Sequence, residues 1–336
     1  MENIDPSSLG EELLNRLQTF SGVILLLGGV DRGKTTLAFR IVNFFLSQGK
    51  KVAWVDADLG QSTVGPPTTV GLGFPSNFSL EERLFTPYFH FVGDTSPRNR
   101  ITSTAVFTHN LVERAHARTE VVLVDTCGFF QGEAALYLKT LQLRLTQPEL
   151  VIGIGEKEEF SVFKKMGVNQ LLELPPAAEI SPKKAIERRS YREHLFSVYF
   201  SRAQNLVLDL ANFRLFLPLY PSFYCQKTFF SQGAVKFCWE DKVWVLTERV
   251  DFAVRGRRFF KASPSELYRV LGCLYNEKGE EIGLGVIREV NLEGKKLTVW
   301  GVKAQAQNPV FFVPGRVKLD FTGREVGRFS WHGSAV

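Results

Sequence analysis

The stretch GVILLLGGVDRGKTTLAFRIVNFF, residues 22–45, decides the fold. It opens with an apolar run of strand length, Gly22 to Leu27. Gly28-Gly29-Val30-Asp31-Arg32-Gly33-Lys34-Thr35 then matches the pattern of glycine, four residues and Gly-Lys-Thr. Beyond it, Leu37, Ile41, Phe44 and Phe45 recur at helical spacing. A strand before and a helix after are the context this motif needs to act as a P-loop. The glycines let backbone N–H groups curl around phosphate oxygens, and the helix N-terminus adds a field that favours anions. Lys34 is placed to reach β- and γ-phosphates, and the Thr35 hydroxyl to bind Mg²⁺. The expected nucleotide cradle is therefore Gly28, Gly29, Val30, Asp31, Arg32, Gly33, Lys34, Thr35 and Thr36. No Asn-Lys-x-Asp guanine-reading motif occurs, which favours ATP over GTP.

Outward from this stretch, Leu13, Leu14 and Leu17 predict a short leading helix. Residues 51–55, 88–92, 120–124 and 150–154 read as strands, and 102–117 and 134–145 as helices. Residues 60–73, rich in Gly, Pro and Thr, read as a loop. Such strand–helix alternation predicts an α/β fold, a P-loop NTPase parallel sheet with helices on both faces. Pro175 and Pro176 mark a break, followed by a basic helical stretch over 181–202. Near Phe223 the texture turns to short apolar runs of strand length, which predict a small C-terminal β-rich domain. The expected layout is a helical lead-in over 1–20, a P-loop domain over 21–220 and the β-rich domain over 221–336.

The 336 residues carry 41 Lys and Arg against 35 Asp and Glu, a net charge of +6. With 44 % hydrophobic and 23 % charged residues, a disordered or fibrous chain is excluded. The excess of base is compatible with an acidic ligand or nucleic acid without requiring one. Cys127, Cys225, Cys238 and Cys273 show neither zinc-ribbon nor disulfide-framework spacing. The N-terminus does not read as a signal peptide, and no apolar run has the length of a membrane span. The sequence reads as cytoplasmic. The sequon at Asn77-Phe78-Ser79 matters only in a secreted protein.

Asp56 and Asp58 close the second predicted strand, two apart and so on one side of it. Asp125 ends another buried strand, as a Walker-B acid does. Asp56, Asp58 and Asp125, with Thr35, are the expected metal set. Three acids exceed what Mg²⁺ needs, which leaves one as a base toward an acceptor hydroxyl. Arg98 and Arg100 read either as nucleic-acid backbone contacts or as a solvated helix start. Arg255-Gly256-Arg257-Arg258 reads as a charged turn ahead of core Phe259 and Phe260, with a nucleic-acid contact as the other reading.

The P-loop with Asp31 inside it, Asp56-x-Asp58-x-Gly60-Gln61, and Thr126-Cys127-Gly128-Phe129 stand in an order and spacing that resembles the polynucleotide 5′-hydroxyl kinases. That family includes the RNA kinase of the eukaryotic mRNA 3′-end and tRNA-splicing machinery, the kinase of ribosomal RNA processing, and archaeal and bacterial relatives. Phe91 to Pro97 and the pair Arg188 and Arg192 also match family segments. The resemblance implies transfer of the ATP γ-phosphate to the 5′-hydroxyl end of RNA or DNA, with Mg²⁺, and names no protein partner. It implies that Lys34 and Thr35 hold ATP and Mg²⁺, and that Asp58 activates the hydroxyl, with Asp56 the rival for that role. It places Gln61 beside metal and acceptor, Thr126, Gly128 and Phe129 in a substrate clasp, and Arg188 and Arg192 in a lid over the transferring group. The sequence departs from the family in having Phe129 where Trp is common. Only residues 1–20 precede the first strand, where large eukaryotic members have a β-domain. Two other functions fit a P-loop: an ATP-binding scaffold or switch in RNA processing, and a kinase for a small-molecule hydroxyl. A pure switch needs no acceptor base, so Asp58, Gln61 and the lid arginines favour the enzyme.

Overall fold

The computed structural model describes residues 10–76, 88–176, 183–210, 214–215, 227–231, 234–239, 242–248, 258–303, 308–330 and 332–334. The sequon at Asn77, the basic run over 255–257 and the first two residues of the expected lid lie outside them. The chain divides into two compact units, Met1–Arg192 and Glu193–Val336.

The first unit runs α1 (Glu11–Leu17), β1 (Gly22–Leu27), α2 (Lys34–Ser47), β2 (Val52–Ala57), β3 (Thr69–Gly73), β4 (Phe89–Phe91), α3 (Ile101–His116), β5 (Val121–Thr126), α4 (Glu133–Thr146), β6 (Leu150–Ile154), α5 (Ser161–Lys165) and β7 (Leu171–Leu174). The sheet order is β4-β3-β2-β5-β1-β6-β7. β2, β5, β1, β6 and β7 run parallel. β3 and β4 pair antiparallel at one edge, so the sheet is mixed. Successive side chains of a strand point to opposite faces, and both faces are covered here. Ile24, Leu26, Trp54, Leu123 and Ile152 pack under α1 and α2. Val23, Leu25, Val55, Val122 and Val124 pack under α3, α4 and α5. That is why these strands read as unbroken apolar runs. Trp54 is fully buried, with Phe39 of α2 edge-on to it at 4.9 Å.

Residues 69–73, expected as loop, form strand β3. Their glycines mislead because they answer a packing demand. A Cβ on Gly71 would lie 2.2 Å from the Val64 carbonyl oxygen, since the segment after β2 crosses directly over β3.

Helix α6 (Ala185–Tyr199) begins in the first unit and ends in the second. The second unit then contains β8 (Gln204–Asp209), β9 (Arg214–Leu215), β10 (Lys227–Ser231), β11 (Ala234–Trp239), β12 (Lys242–Thr247), β13 (Arg258–Ala262), α7 (Pro264–Leu267), β14 (Val270–Tyr275), β15 (Glu281–Asn291), β16 (Lys296–Gly301), β17 (Phe311–Leu319), β18 (Glu325–Arg328) and β19 (His332–Ser334). One sheet has the order β18-β17-β14-β15-β16-β8, and another β10-β11-β12-β13-β19. Leu246 and Ala262 of the latter share a core with Val270, Leu274, Ile287, Val299 and Phe312 of the former. The division falls earlier than the expected boundary at 220/221, because β8 already pairs with β16. β8 is an edge strand with no fully buried residue, so its sequence lacks the apolar signature of a core strand. Among the described residues, no helix is long and apolar enough to cross a membrane.

Gly71→Ala is expected to overpack the crossing of the 58–64 segment on β3, at a cost of about 1–3 kcal/mol. Urea unfolding should show a lower midpoint with an unchanged slope.

Candidate nucleotide and acceptor site

The parallel register sets the site. Leu26 and Asp56 are both Cα partners of Asp125, so β1, β5 and β2 end level with one another. Ligands of such sheets bind beyond the carboxyl ends of the strands. Gly28 leaves β1 at φ 150°, and a Cβ there would lie 2.4 Å from the Ile154 carbonyl oxygen. Gly33 caps α2 in the left-handed region at φ 95°. Asp31 adopts φ 55°, a conformation that Asp tolerates better than most side chains. The loop therefore presents its N–H groups at the start of α2.

Lys34 is buried and donates to the Gly29 carbonyl oxygen at 2.7 Å, folded back over its own loop. The Thr35 hydroxyl donates to Asp125 Oδ2 at 2.8 Å. Asp125 Oδ1 is buried with no hydrogen-bond partner among the described residues. Burial pushes the Asp125 carboxyl up to about 6, against the pull of Lys34 and the Thr35 hydroxyl. An orphaned carboxylate oxygen beside a P-loop threonine fits Mg²⁺, which takes one or two protein oxygens and keeps several waters.

The three acids differ in their commitments. Asp56 is 2 % exposed and accepts backbone N–H bonds from Asp58, Thr63 and Val64. Burial, together with the charges of Asp125 and Asp58, raises its pKa well above the usual carboxylate value. Asp56 thus organises the loop after β2. Among the described residues no three acidic, His or Cys side chains gather as a metal-binding group, and both oxygens of Asp56 already accept backbone amides. Asp58 is half-buried, and its Oδ1 accepts the N–H groups of Gly60 and Gln61 at 3.0 and 2.9 Å. Its Oδ2 makes no hydrogen bond among the described residues.

Gln61 Nε2 donates to the Gly60 and Arg188 carbonyl oxygens. The Arg188 guanidinium donates to Asp31 Oδ2 at 3.1 Å. Arg192 stands one turn further along α6, half-buried. The 126–129 segment folds onto the P-loop: a Cβ on Gly128 would come 2.7 Å from Val30 Cα, so the position requires glycine. Phe129 is half-buried against Ala105, Cys127 and Leu138, and the Arg98 guanidinium lies 5.5 Å from its ring centroid.

Three residues expected at the ligand also make contacts within the protein. Thr126 is fully buried and donates its hydroxyl to the Leu26 carbonyl oxygen on the neighbouring strand. Arg32 pairs with Glu159 at 3.3 Å, which fastens the loop to the segment after β6. Arg100 is the N-cap residue of α3, and its carbonyl oxygen accepts from the Thr104 N–H and hydroxyl. Thr36 is exposed on the first turn of α2.

One residue was missed. Lys139 of α4 is fully buried beneath the 126–129 segment and donates to the Cys127 carbonyl oxygen at 2.8 Å. Burial pulls its pKa down, and Lys34 adds to that, while Asp58 opposes it. A lysine among Leu136, Leu138 and Leu143 was the available signal, but a single cation on a helix is normally solvated.

The strand-to-helix cradle, its lysine and threonine, and the strand-end acid define a P-loop nucleotide-binding protein. The chain belongs to the family described as the P-loop of mRNA cleavage and polyadenylation factor CLP1, which matches residues 28–202. It is 28 % identical over 329 residues to a polyribonucleotide 5′-hydroxyl-kinase of Pyrococcus furiosus, covering 90 % of this chain and 89 % of that one. The polyribonucleotide 5′-hydroxyl-kinase of Thermococcus kodakarensis is 35 % identical over 183 residues, 54 % of this chain and 52 % of its own. The solved structure of Clp1p with Pcf11p has the same fold, with a TM-score of 0.62 at 14 % identity over 90 % of this chain and 76 % of Clp1p.

The raised pKa of Asp125 carries a sign. Its folded value lies above the unfolded one, so the protonated acid favours folding, and that stability is lost as pH rises from about 4 through about 6. In nucleotide-free protein with chelator, Asp125→Asn should raise Tm at pH 7.5 and raise it less at pH 5. The same variant should lose the part of nucleotide stabilisation that depends on Mg²⁺. Thermal melts at the two pH values, with and without nucleotide and Mg²⁺, check both.

Proposed function

We propose that this protein is an ATP- and Mg²⁺-dependent polynucleotide 5′-hydroxyl kinase that transfers the γ-phosphoryl group of ATP to the 5′-hydroxyl end of RNA. The observation that carries the mechanism is the state of Asp58. Asp56 is occupied by three amides and Asp125 by Thr35. Asp58 alone is half-exposed, fixed through one oxygen, with the other unused among the described residues. That is the arrangement of a held general base. The kinases of Pyrococcus and Thermococcus carry the same activity in their names.

In this reading the loop amides and the start of α2 hold the phosphates. Lys34 exchanges the Gly29 carbonyl oxygen for phosphate oxygens. Asp58 accepts the proton of the 5′-hydroxyl as its oxygen bonds to the γ-phosphorus and the bond to the β-phosphate oxygen breaks, leaving ADP. Thr35 and Asp125 would hold Mg²⁺, which would supply charge neutralisation to the phosphoryl group being transferred. Arg188 and Arg192, one turn apart on α6, supply further positive charge over the transferring group. Phe129 and Arg98 offer a stacking surface for the terminal base, a contact that tolerates any sequence.

Labelled γ-phosphate should pass to a 5′-hydroxyl oligoribonucleotide, and Lys34→Ala should abolish transfer in a folded protein. Asp58→Asn should lower kcat about 10²–10⁴-fold with ATP binding retained. Asp56→Asn should act chiefly on stability by loosening the loop after β2. Wild-type transfer by Asp58→Asn beside an inactive, fully folded Asp56→Asn would reverse the assignment of the base. Nucleotide binding with no transfer to any 5′-hydroxyl end would favour the scaffold reading.

A further inference from the structure

Asp31 stands inside the P-loop, but its carboxylate serves the lid. Asp31 Oδ2 accepts the Lys183 backbone N–H at 2.9 Å and the Arg188 Nη1 at 3.1 Å. Arg188 Nη1 also donates to the Lys183 carbonyl oxygen at 2.6 Å, closing a small ring of hydrogen bonds. The ion pair is partly shielded, with side chains 16 % and 30 % exposed. A second tie reaches the same residue from the acceptor side, where Gln61 Nε2 donates to the Arg188 carbonyl oxygen at 3.2 Å. Arg188 is thereby held by its side chain to the P-loop and by its backbone to the loop that carries Asp58.

We propose that Asp31 is a positioning residue, which docks the lid on the P-loop and aims Arg188 at the transferring phosphoryl group. A guanidinium has five N–H donors in a rigid fork. The bonds to Asp31 and Lys183 use Nη1. Nη2 and Nε make no hydrogen bond among the described residues, so one edge is anchored while the other is presented. The loop itself needs only backbone N–H groups at position 31, and the left-handed φ of 55° would suit glycine better. A carboxylate there is accounted for by the lid contact. The consequence is coupling: whatever orders the P-loop also orders the lid arginine. The catalytic half of this inference rests on the kinase reading above, whereas the docking half does not.

The test uses Asp31→Gly, which keeps the loop conformation and removes the carboxylate, and Asp31→Asn, which keeps its size. Amide hydrogen exchange over 183–188 in the nucleotide-free protein should speed up in Asp31→Gly, and less in Asp31→Asn. Unchanged exchange overturns the docking. Under saturating ATP and oligonucleotide, Asp31→Gly should lower kcat about tenfold or more while ATP affinity stays within about threefold, the pattern of an interaction made in the transition state. In an Arg188→Ala background the same substitution should cost less than about twofold, because coupled residues are not additive. Losses that multiply in full, or ATP affinity that falls in step with kcat, overturn the positioning role. Wild-type kcat in Arg188→Ala alone would overturn the catalytic role of the lid and leave the exchange result to decide the docking.

Discussion

Two buried carboxylates, Asp56 and Asp125, face one another across adjacent parallel strands, and the structure around the site is arranged to satisfy them. They are Cα partners in the β2–β5 register, and each is 2 % exposed. Like charges so placed in a buried setting are costly unless each finds its own hydrogen bonds. Asp56 obtains them from the chain that follows it: three amides wrap its carboxylate and bend the 58–64 segment back over the sheet. Asp125 obtains half of its need from Thr35, and its other oxygen has no hydrogen-bond partner among the described residues. That difference separates an acid with both oxygens engaged by amides from one engaged through a single oxygen.

The bend around Asp56 has two products. It delivers Asp58 to the mouth of the site with one oxygen fixed, and it brings Gln61 within reach of α6. On the other side the P-loop is braced by contacts that only glycine allows, Gly28 against Ile154 and Gly128 against Val30. Lys139 completes the support by holding the Cys127 carbonyl from below. Its ammonium sits close enough to Lys34 and Asp58 to feel both charges. A buried cation near an acid cluster offsets some of the repulsion among the carboxylates. The P-loop, Asp58 and the 126–129 segment are therefore parts of one braced unit.

Much of this was legible in the sequence because the signals are local. A P-loop is a run of eight residues from Gly28 to Thr35 with its strand and helix attached, and strands buried on both faces announce themselves as apolar runs. β3 was not legible. Its glycines are there because another segment lies on it, and that crossing joins residues distant in the chain. Nor was β8, an edge strand whose partner β16 lies far along the chain.

The sequence by itself determined the class of site, the identity of the loop, and the set of acids and arginines from which a kinase would draw. Its composition and spacing name candidates, since residue type fixes what chemistry a side chain can do. Only the tertiary structure decided which atoms of those candidates are already engaged inside the protein. Asp56 is committed to amides, Thr126 to a neighbouring strand, Arg32 to Glu159 and Asp31 to the lid, which leaves Asp58 available. The physical reason is that a polar group acts on a ligand only with atoms not already used inside the protein. Which atoms are used depends on partners that the chain brings together from residues as far apart as 31 and 188.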